Sequence, residues 1–216
     1  MTGTRGSYAK GIAKREEILS RALEVVAREG YRGASVKEIA DAVGLSQAGL
    51  LHYFDSKEEL FTEILRKRDE VDGAAYGPWD AEGTALPEMR EAYLAVTRHN
   101  AEVPGLVQLF SRLAVDGADP QHPAHDYFVD RGRRLRETFA AALASQQAGG
   151  ELTDAVAPET LARILQAVAD GLQLQFMLEP DLDMAATIDA LFSALAAPGG
   201  PGEAVRSSAD ARPPGS

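Results

Sequence analysis

Cysteine is absent from this sequence, which excludes disulfides and thiolate metal sites and leaves open only sites built from histidine and carboxylates. No apolar run approaches the roughly 18 residues needed to span a bilayer, and the polar opening from Met1 to Ala9 lacks the apolar centre of a signal peptide. A cytoplasmic protein with no membrane partner is the expectation. Alternation of period two does not persist anywhere, so no convincing strand is predicted. There is no glycine-rich phosphate loop following a strand and no nucleophile motif, hence no enzyme site and no cofactor requirement. Basic residues are outnumbered too, 22 Lys+Arg against 33 Asp+Glu for a formal net charge of -11. That total argues at first sight against a nucleic-acid partner, but its distribution does not. Residues 1–57 hold nine basic and seven acidic side chains, and the remainder holds 13 basic and 26 acidic. An acidic body behind a mildly basic head repels phosphate everywhere except at the intended face. The plainer alternative is that the acidic body serves solubility.

What is present is helical periodicity almost throughout, in 216 residues of ordinary globular composition, 45% hydrophobic and 25% charged. The chain is long enough for one large domain or two smaller ones. One stretch organises the rest: residues 35–54 read as two short helices with a glycine turn between them. Val36, Ile39, Ala40 and Val43 form one apolar stripe. Ser35 and Glu38 form a capping box, Gly44 supplies a left-handed exit, and Ser46 caps the next helix. Leu45, Leu50, Leu51 and Phe54 supply the buried contacts of the second helix, so Gln47, Ala48, His52 and Tyr53 remain as a polar face available to a partner. This is the plan of a helix-turn-helix, whose second helix enters the major groove.

From about Ile12 to Leu65 the pattern resembles the TetR family of bacterial transcriptional regulators. The resemblance rests on Ile18, Ala22 and Val25 in a first helix, Gly30-Tyr31, Ser35 to Ala40, Gly44-Leu45-Ser46, and then Leu50, Phe54 and Ser56-Lys57-Glu58-Glu59-Leu60. Two positions depart from it: Gly49 stands where a small hydroxyl residue is common, and Leu51 where a tyrosine is. The resemblance implies a DNA interface of Ser35, Lys37, Ser46, Gln47, Ala48, His52, Tyr53 and Lys57. Gln47 suits an adenine edge and Lys37 a guanine or a phosphate, while Tyr53, Lys57 and Ser35 align with backbone contacts.

Around this head the expected organisation is a flexible basic arm over residues 1–11, with the helix-turn-helix domain and its connecting helix over 12–72. A helical effector-binding and dimerisation domain follows over 73–197, then a disordered Pro/Gly tail over 198–216. The arm either enters a minor groove or is simply disordered. Tyr31 is expected to close the small head core, and Gly73 to Gly83 to break the helical period as a hinge. Helices are predicted over 87–102, 104–116, 125–147, 158–178 and 184–196.

TetR-like bodies enclose a small-molecule pocket. Tyr93, Val96, Thr97, Asn100, Phe110, Phe128, Gln173, Phe176 and Met177 mix apolar walls with polar groups as such pockets do, although each alone is also compatible with plain core. Gln173 and Gln175 stand out, because a buried amide needs partners. The last two helices offer Leu161, Leu165, Val168, Leu172, Ile188, Leu191, Phe192 and Leu195 as apolar stripes. From residues alone these pack either within the chain or against a second copy; the resemblance implies a four-helix dimer interface. His122 and His125, with Asp119 and Asp126, suggest a metal site, but Pro120 and Pro123 make the segment an interhelical loop. Arg131, Arg133, Arg134 and Arg136 read as a solvated face, one of which could pair an acidic effector.

The fold expected is therefore all-α, with a three-helix helix-turn-helix head plus a larger helical domain, about nine helices in all. The function expected is a homodimeric, DNA-binding transcriptional repressor released from a palindromic double-stranded operator by a small-molecule effector. The alternative, suggested by Gly49, Leu51 and the acidic total, is a helical protein-interaction module that no longer binds DNA.

Overall fold

The computed structural model describes residues 3–77 and 84–197. Among these the chain forms nine α-helices: α1 Gly3–Gly33, α2 Val36–Ala42, α3 Gln47–Leu50, α4 Lys57–Tyr76, α5 Leu86–Glu102, α6 Pro104–Asp116, α7 His125–Ala148, α8 Pro158–Leu178 and α9 Met184–Ala194. No strand occurs among the described residues, only an isolated antiparallel bridge between Leu152 and Ala196. None of the helices described is long and apolar enough to cross a membrane. The tail over 198–216, and the side chain of Tyr31 with its expected core role, lie outside the described residues.

Helix ends follow the sequence signals closely in the body. Pro104 and Pro158 open α6 and α8 at the first position, where a missing N–H removes no bond. Asp183 caps α9 by accepting from the amide of Ala186 at 2.8 Å. Two expectations are corrected. The arm over 1–11 is helical from Gly3 onward, because extending an established helix adds one hydrogen bond per residue fixed and outweighs the weak propensity of Gly3, Gly6 and Gly11. The break expected over Gly73 to Gly83 begins at Gly77 rather than at Gly73, and residues 78–83 lie outside those described. α4 runs through Gly73 to Tyr76 and stops at Gly77, whose φ of 97° suits a residue without a side chain.

Two apolar cores result. The first gathers Ile18, Ala22, Val25 and Val26 of α1, Ile39 and Ala40 of α2, Leu50 and Phe54, and Leu60, Phe61, Ile64 and Leu65 of α4. It does not end at the head: Leu106, Leu109, Phe110 and Leu113 of α6 and Tyr127 of α7 belong to it. The second core joins α5, α7, α8 and α9 through Met89, Leu94, Phe139, Leu143, Leu165, Ile188 and Phe192, among others.

α6 meets α1 almost backbone to backbone. A Cβ on Gly105 would lie 2.3 Å from the Val26 carbonyl oxygen and 2.7 Å from Gly30 Cα, closer than any real contact. Gly30 itself, with φ 73° and ψ 166°, breaks the helix at that crossing and ends its long run, leaving only a short helical turn to Gly33 beyond it.

The stripe expected at a dimer interface proves to be interior. Leu161, Leu165, Leu172, Ile188 and Phe192 are buried within the single chain, with Val168, Leu191 and Leu195 packed against the same core. The outward face of α8 is a second stripe: Ile164, Ala167, Leu174 and Leu178 are exposed there, Leu178 to 83%. Each side of α8 is apolar, and the inner side packs first on α7 and α9 of its own chain.

Candidate nucleic-acid interface and effector cavity

The head is built by caps. The amide of Glu38 donates to Ser35 Oγ at 3.3 Å and the amide of Ser35 donates to Glu38 Oε2 at 2.8 Å, closing the capping box of α2. Gly44, at φ 68°, turns the chain. Ser46 then accepts from the amide of Gly49 at 3.0 Å and starts α3. Ser56 does the same for α4, accepting from Glu59 at 3.0 Å, which places Lys57 at the first position of that helix. The amide end of a helix and a cation side by side suit a phosphate.

α3 is shorter than expected. It ends at Leu50, and a bond from the amide of Tyr53 to the Leu50 carbonyl at 3.0 Å turns the chain so that Phe54 drops into the core at 2% exposure. His52 and Tyr53 therefore sit on the following turn, His52 exposed and Tyr53 half-buried against the core. Leu50 is fully buried, whereas Leu51, expected among the buried contacts, is 38% exposed. Lys37, Ser46, Gln47, Ala48 and Lys57 are all exposed.

Charge on this surface is selective. Lys14 pairs with Glu17, Arg21 with Glu24 and Arg28 with Glu29, while Arg15 bonds Glu63 at 3.0 Å and Glu59 at 3.4 Å and lies 4.8 Å over the Phe54 ring. Lys37 and Lys57 have no carboxylate at ion-pair distance among the described residues. They are the head cations best placed to meet phosphate.

A second site lies in the body. Tyr93, Val96, Thr97 and Asn100 of α5, Arg131 and Leu135 of α7, Ala169, Asp170 and Gln173 of α8, and Met184 and Ile188 of α9 line a cavity of about 40 Å³. Five of the nine expected effector residues thus converge. The other four do not: Phe110 and Phe128 pack edge-to-face in the first core, Phe176 is buried in the second, and Met177 is half-buried away from the cavity. Asn100 Oδ1 and Gln173 Oε1 are buried without a partner among the described residues, while Gln175 is exposed and needs none.

Arg131 is the cavity residue that the sequence hid. It leaves the expected solvated face and donates from Nε to Asp69 Oδ2 of α4 at 2.8 Å. Tyr127 donates to the same oxygen at 2.7 Å and Arg68 to the other at 2.9 Å. Burial alone would raise the Asp69 pKa, but Arg131, Arg68 and the Tyr127 hydroxyl outweigh it and hold the carboxyl at about 2. Arg133 remains a surface cation, paired with Glu137 and Asp130, and Arg136 donates to Gln166 at 2.8 Å. The two histidines stabilise their loop: His125 Nδ1 lies 2.9 Å from the Gly117 carbonyl, and His122 Nδ1 accepts from the amide of Ala124 at 3.1 Å.

Comparison with known proteins agrees with this architecture. Residues 18–64 match the family model of the TetR-type bacterial regulatory proteins, and residues 124–198 match that of the BetI-type transcriptional repressor C-terminal domain. The HTH-type transcriptional repressor AcnR of Corynebacterium diphtheriae is 28% identical over 73% of this chain and 78% of its own length. The repressor KstR2 of Mycobacterium tuberculosis is 29% identical over 61% of this chain and 65% of its own. A TetR-family regulator from Agrobacterium tumefaciens superposes with a TM-score of 0.67 at 22% identity, covering 87% of this chain and all of that one.

Proposed function

The chain belongs to the TetR family of bacterial transcriptional regulators, and on that premise we propose that it is a homodimeric repressor released from a near-palindromic operator by a small molecule. The observation that carries the reading is the outward face of α3. Leu50 and Phe54 anchor the element in the core, which leaves Ser46, Gln47 and Ala48 turned to solvent with Lys37 and Lys57 exposed on the flanking helices. Gln47 then reads a base edge while the two lysines hold phosphates.

A single α3 covers too few base pairs for selectivity, so two copies are needed, with their recognition helices about 34 Å apart. The exposed apolar stripe of α8 supports pairing through α8 and α9. The body cavity supports an effector site: two buried amide oxygens without partners are groups that a ligand would satisfy. At about 40 Å³ the cavity holds little more than a water or two. An effector must therefore spread α5, α7 and α8, and Arg131 carries that displacement to Asp69 on α4. Coupling of about 1–3 kcal/mol shifts operator affinity roughly 5- to 150-fold, enough for a switch.

Selection of duplexes from a random-sequence pool by the full chain, followed by gel-shift at low and moderate salt, tests the reading. Enrichment of a twofold-symmetric sequence is expected. Binding that ignores sequence, or no binding, overturns it in favour of a protein-interaction module.

A further inference from the structure

The exposed surface of the recognition element contains a group with no hydrogen-bonding capacity. Leu51 is 38% exposed although its neighbour Leu50 is completely buried, so the chain turns one leucine inward and the other out. The outward leucine is held in register: its amide donates to the Gln47 carbonyl at 2.9 Å, and its backbone keeps helical angles at φ -70° and ψ -2°. Gln47 and Leu51 are thus one turn apart on one face, an amide and an isobutyl group about 6 Å apart along the axis. Ser46, Ala48 and His52, all exposed, surround them.

A lone surface leucine is ordinary, but this one lies inside the patch that must shed water when α3 meets DNA. Phosphates and most base edges offer it nothing. The major-groove floor carries one apolar group, the C5-methyl of thymine, and apolar side chains pack on it. We propose that Leu51 reads a thymine methyl group in each half-site, one or two base pairs from the base contacted by Gln47. The spacing follows from the helical rise, since about 6 Å along α3 spans roughly two base-pair steps of about 3.4 Å. The inference rests on the DNA-binding reading above and adds to it a specificity-determining residue and the base that residue recognises.

The test uses the full chain and duplexes selected from the random pool. Each thymine is replaced in turn by deoxyuridine, which removes only the methyl group, and affinity is measured by fluorescence anisotropy for the wild type and for Leu51→Ala. One thymine per half-site is expected at which deoxyuridine weakens wild-type binding about 4-fold, the effect of uncovering one methyl-sized group. Leu51→Ala should bind the thymine duplex correspondingly more weakly and be indifferent to deoxyuridine at that site. Because Leu51 is partly exposed, the variant should keep its thermal transition. The proposal is overturned if every thymine tolerates deoxyuridine, or if the penalty persists in Leu51→Ala, which would assign the methyl to a neighbour such as Ala48. A pool that yields no selected sequence sinks the regulator reading itself, whereas a selected operator without the methyl effect sinks only the role of Leu51.

Discussion

Arg131 of α7 and Asp69 of α4 are joined by a 2.8 Å hydrogen-bonded ion pair, although 62 residues separate them in the chain. The guanidinium also lines the body cavity and lies 5.1 Å over the Phe110 ring. One side chain therefore touches the body cavity, the helix leading from the head, and the core that α6 shares with the head.

Replacing Asp69 by Asn should destabilise the protein by about 1–3 kcal/mol, because Arg131 and Arg68 lose the charge of the carboxylate they share, while Arg68 keeps Asp72 at 3.9 Å. Arg133→Ala, which removes an exposed cation paired with Glu137 and Asp130, should cost under about 1 kcal/mol. Urea unfolding of both variants checks the contrast, and equal effects would mean that the Arg131 cluster does not hold α4.

The same carboxylate imposes a pH dependence. Its folded pKa of about 2 lies below the ordinary value near 3.9, so the stabilisation is fully present above about pH 4 and is lost as pH falls through about 2. Wild type should lose more stability than Asp69→Asn between those limits, as read from unfolding midpoints at successive pH values. Parallel curves would remove Asp69 from the acid response.

Gly105→Ala should lower stability by about 1–3 kcal/mol, since the added methyl would meet the Val26 carbonyl oxygen at 2.3 Å and must push α6 off α1. Gly73→Ala provides the control, because nothing lies within 4 Å of its added Cβ. Thermal melts of the pair are expected to diverge by several degrees.

On α8, Leu174→Asp should convert a dimer to a folded monomer, because the residue is 52% exposed in the single chain. Leu165→Asp, buried to 2% exposure, should unfold the chain instead. Sedimentation velocity with circular dichroism separates these outcomes, and a Leu174→Asp protein that still pairs would place the interface elsewhere.

At the DNA face, Gln47→Ala should cost roughly 1–3 kcal/mol at one base position and leave the other positions unaffected. Lys57→Ala should weaken every sequence alike and reduce the salt slope by about one. Anisotropy titrations on operator variants at several salt concentrations distinguish the two patterns.

Much of this was legible in the residues because it depends on local chemistry. Ser35 with Glu38, Gly44, Ser46, Pro104 and Pro158 mark helix ends through bonds made within a few residues, and those ends occur where expected. What escaped depends on which helix faces which. α8 carries two apolar stripes, and periodicity alone cannot tell that Leu165 faces its own chain while Leu174 faces outward. Arg131 sits in a run of arginines whose members look alike until α4 brings Asp69 to one of them. Leu51 reads as core by its residue type alone, and only the turn after Leu50 that buries Phe54 leaves it outward.

The sharing of one apolar core by α1–α4 and α6 sets a limit on recombination. A chimera joined at residue 76 would separate Leu106, Leu109 and Leu113 from the surfaces they fill, grafting a reading module that has lost part of its own floor. A transplant designed to keep the recognition of one regulator and the ligand response of another must carry α6 with the head, or refit the complementary surface at Gly105.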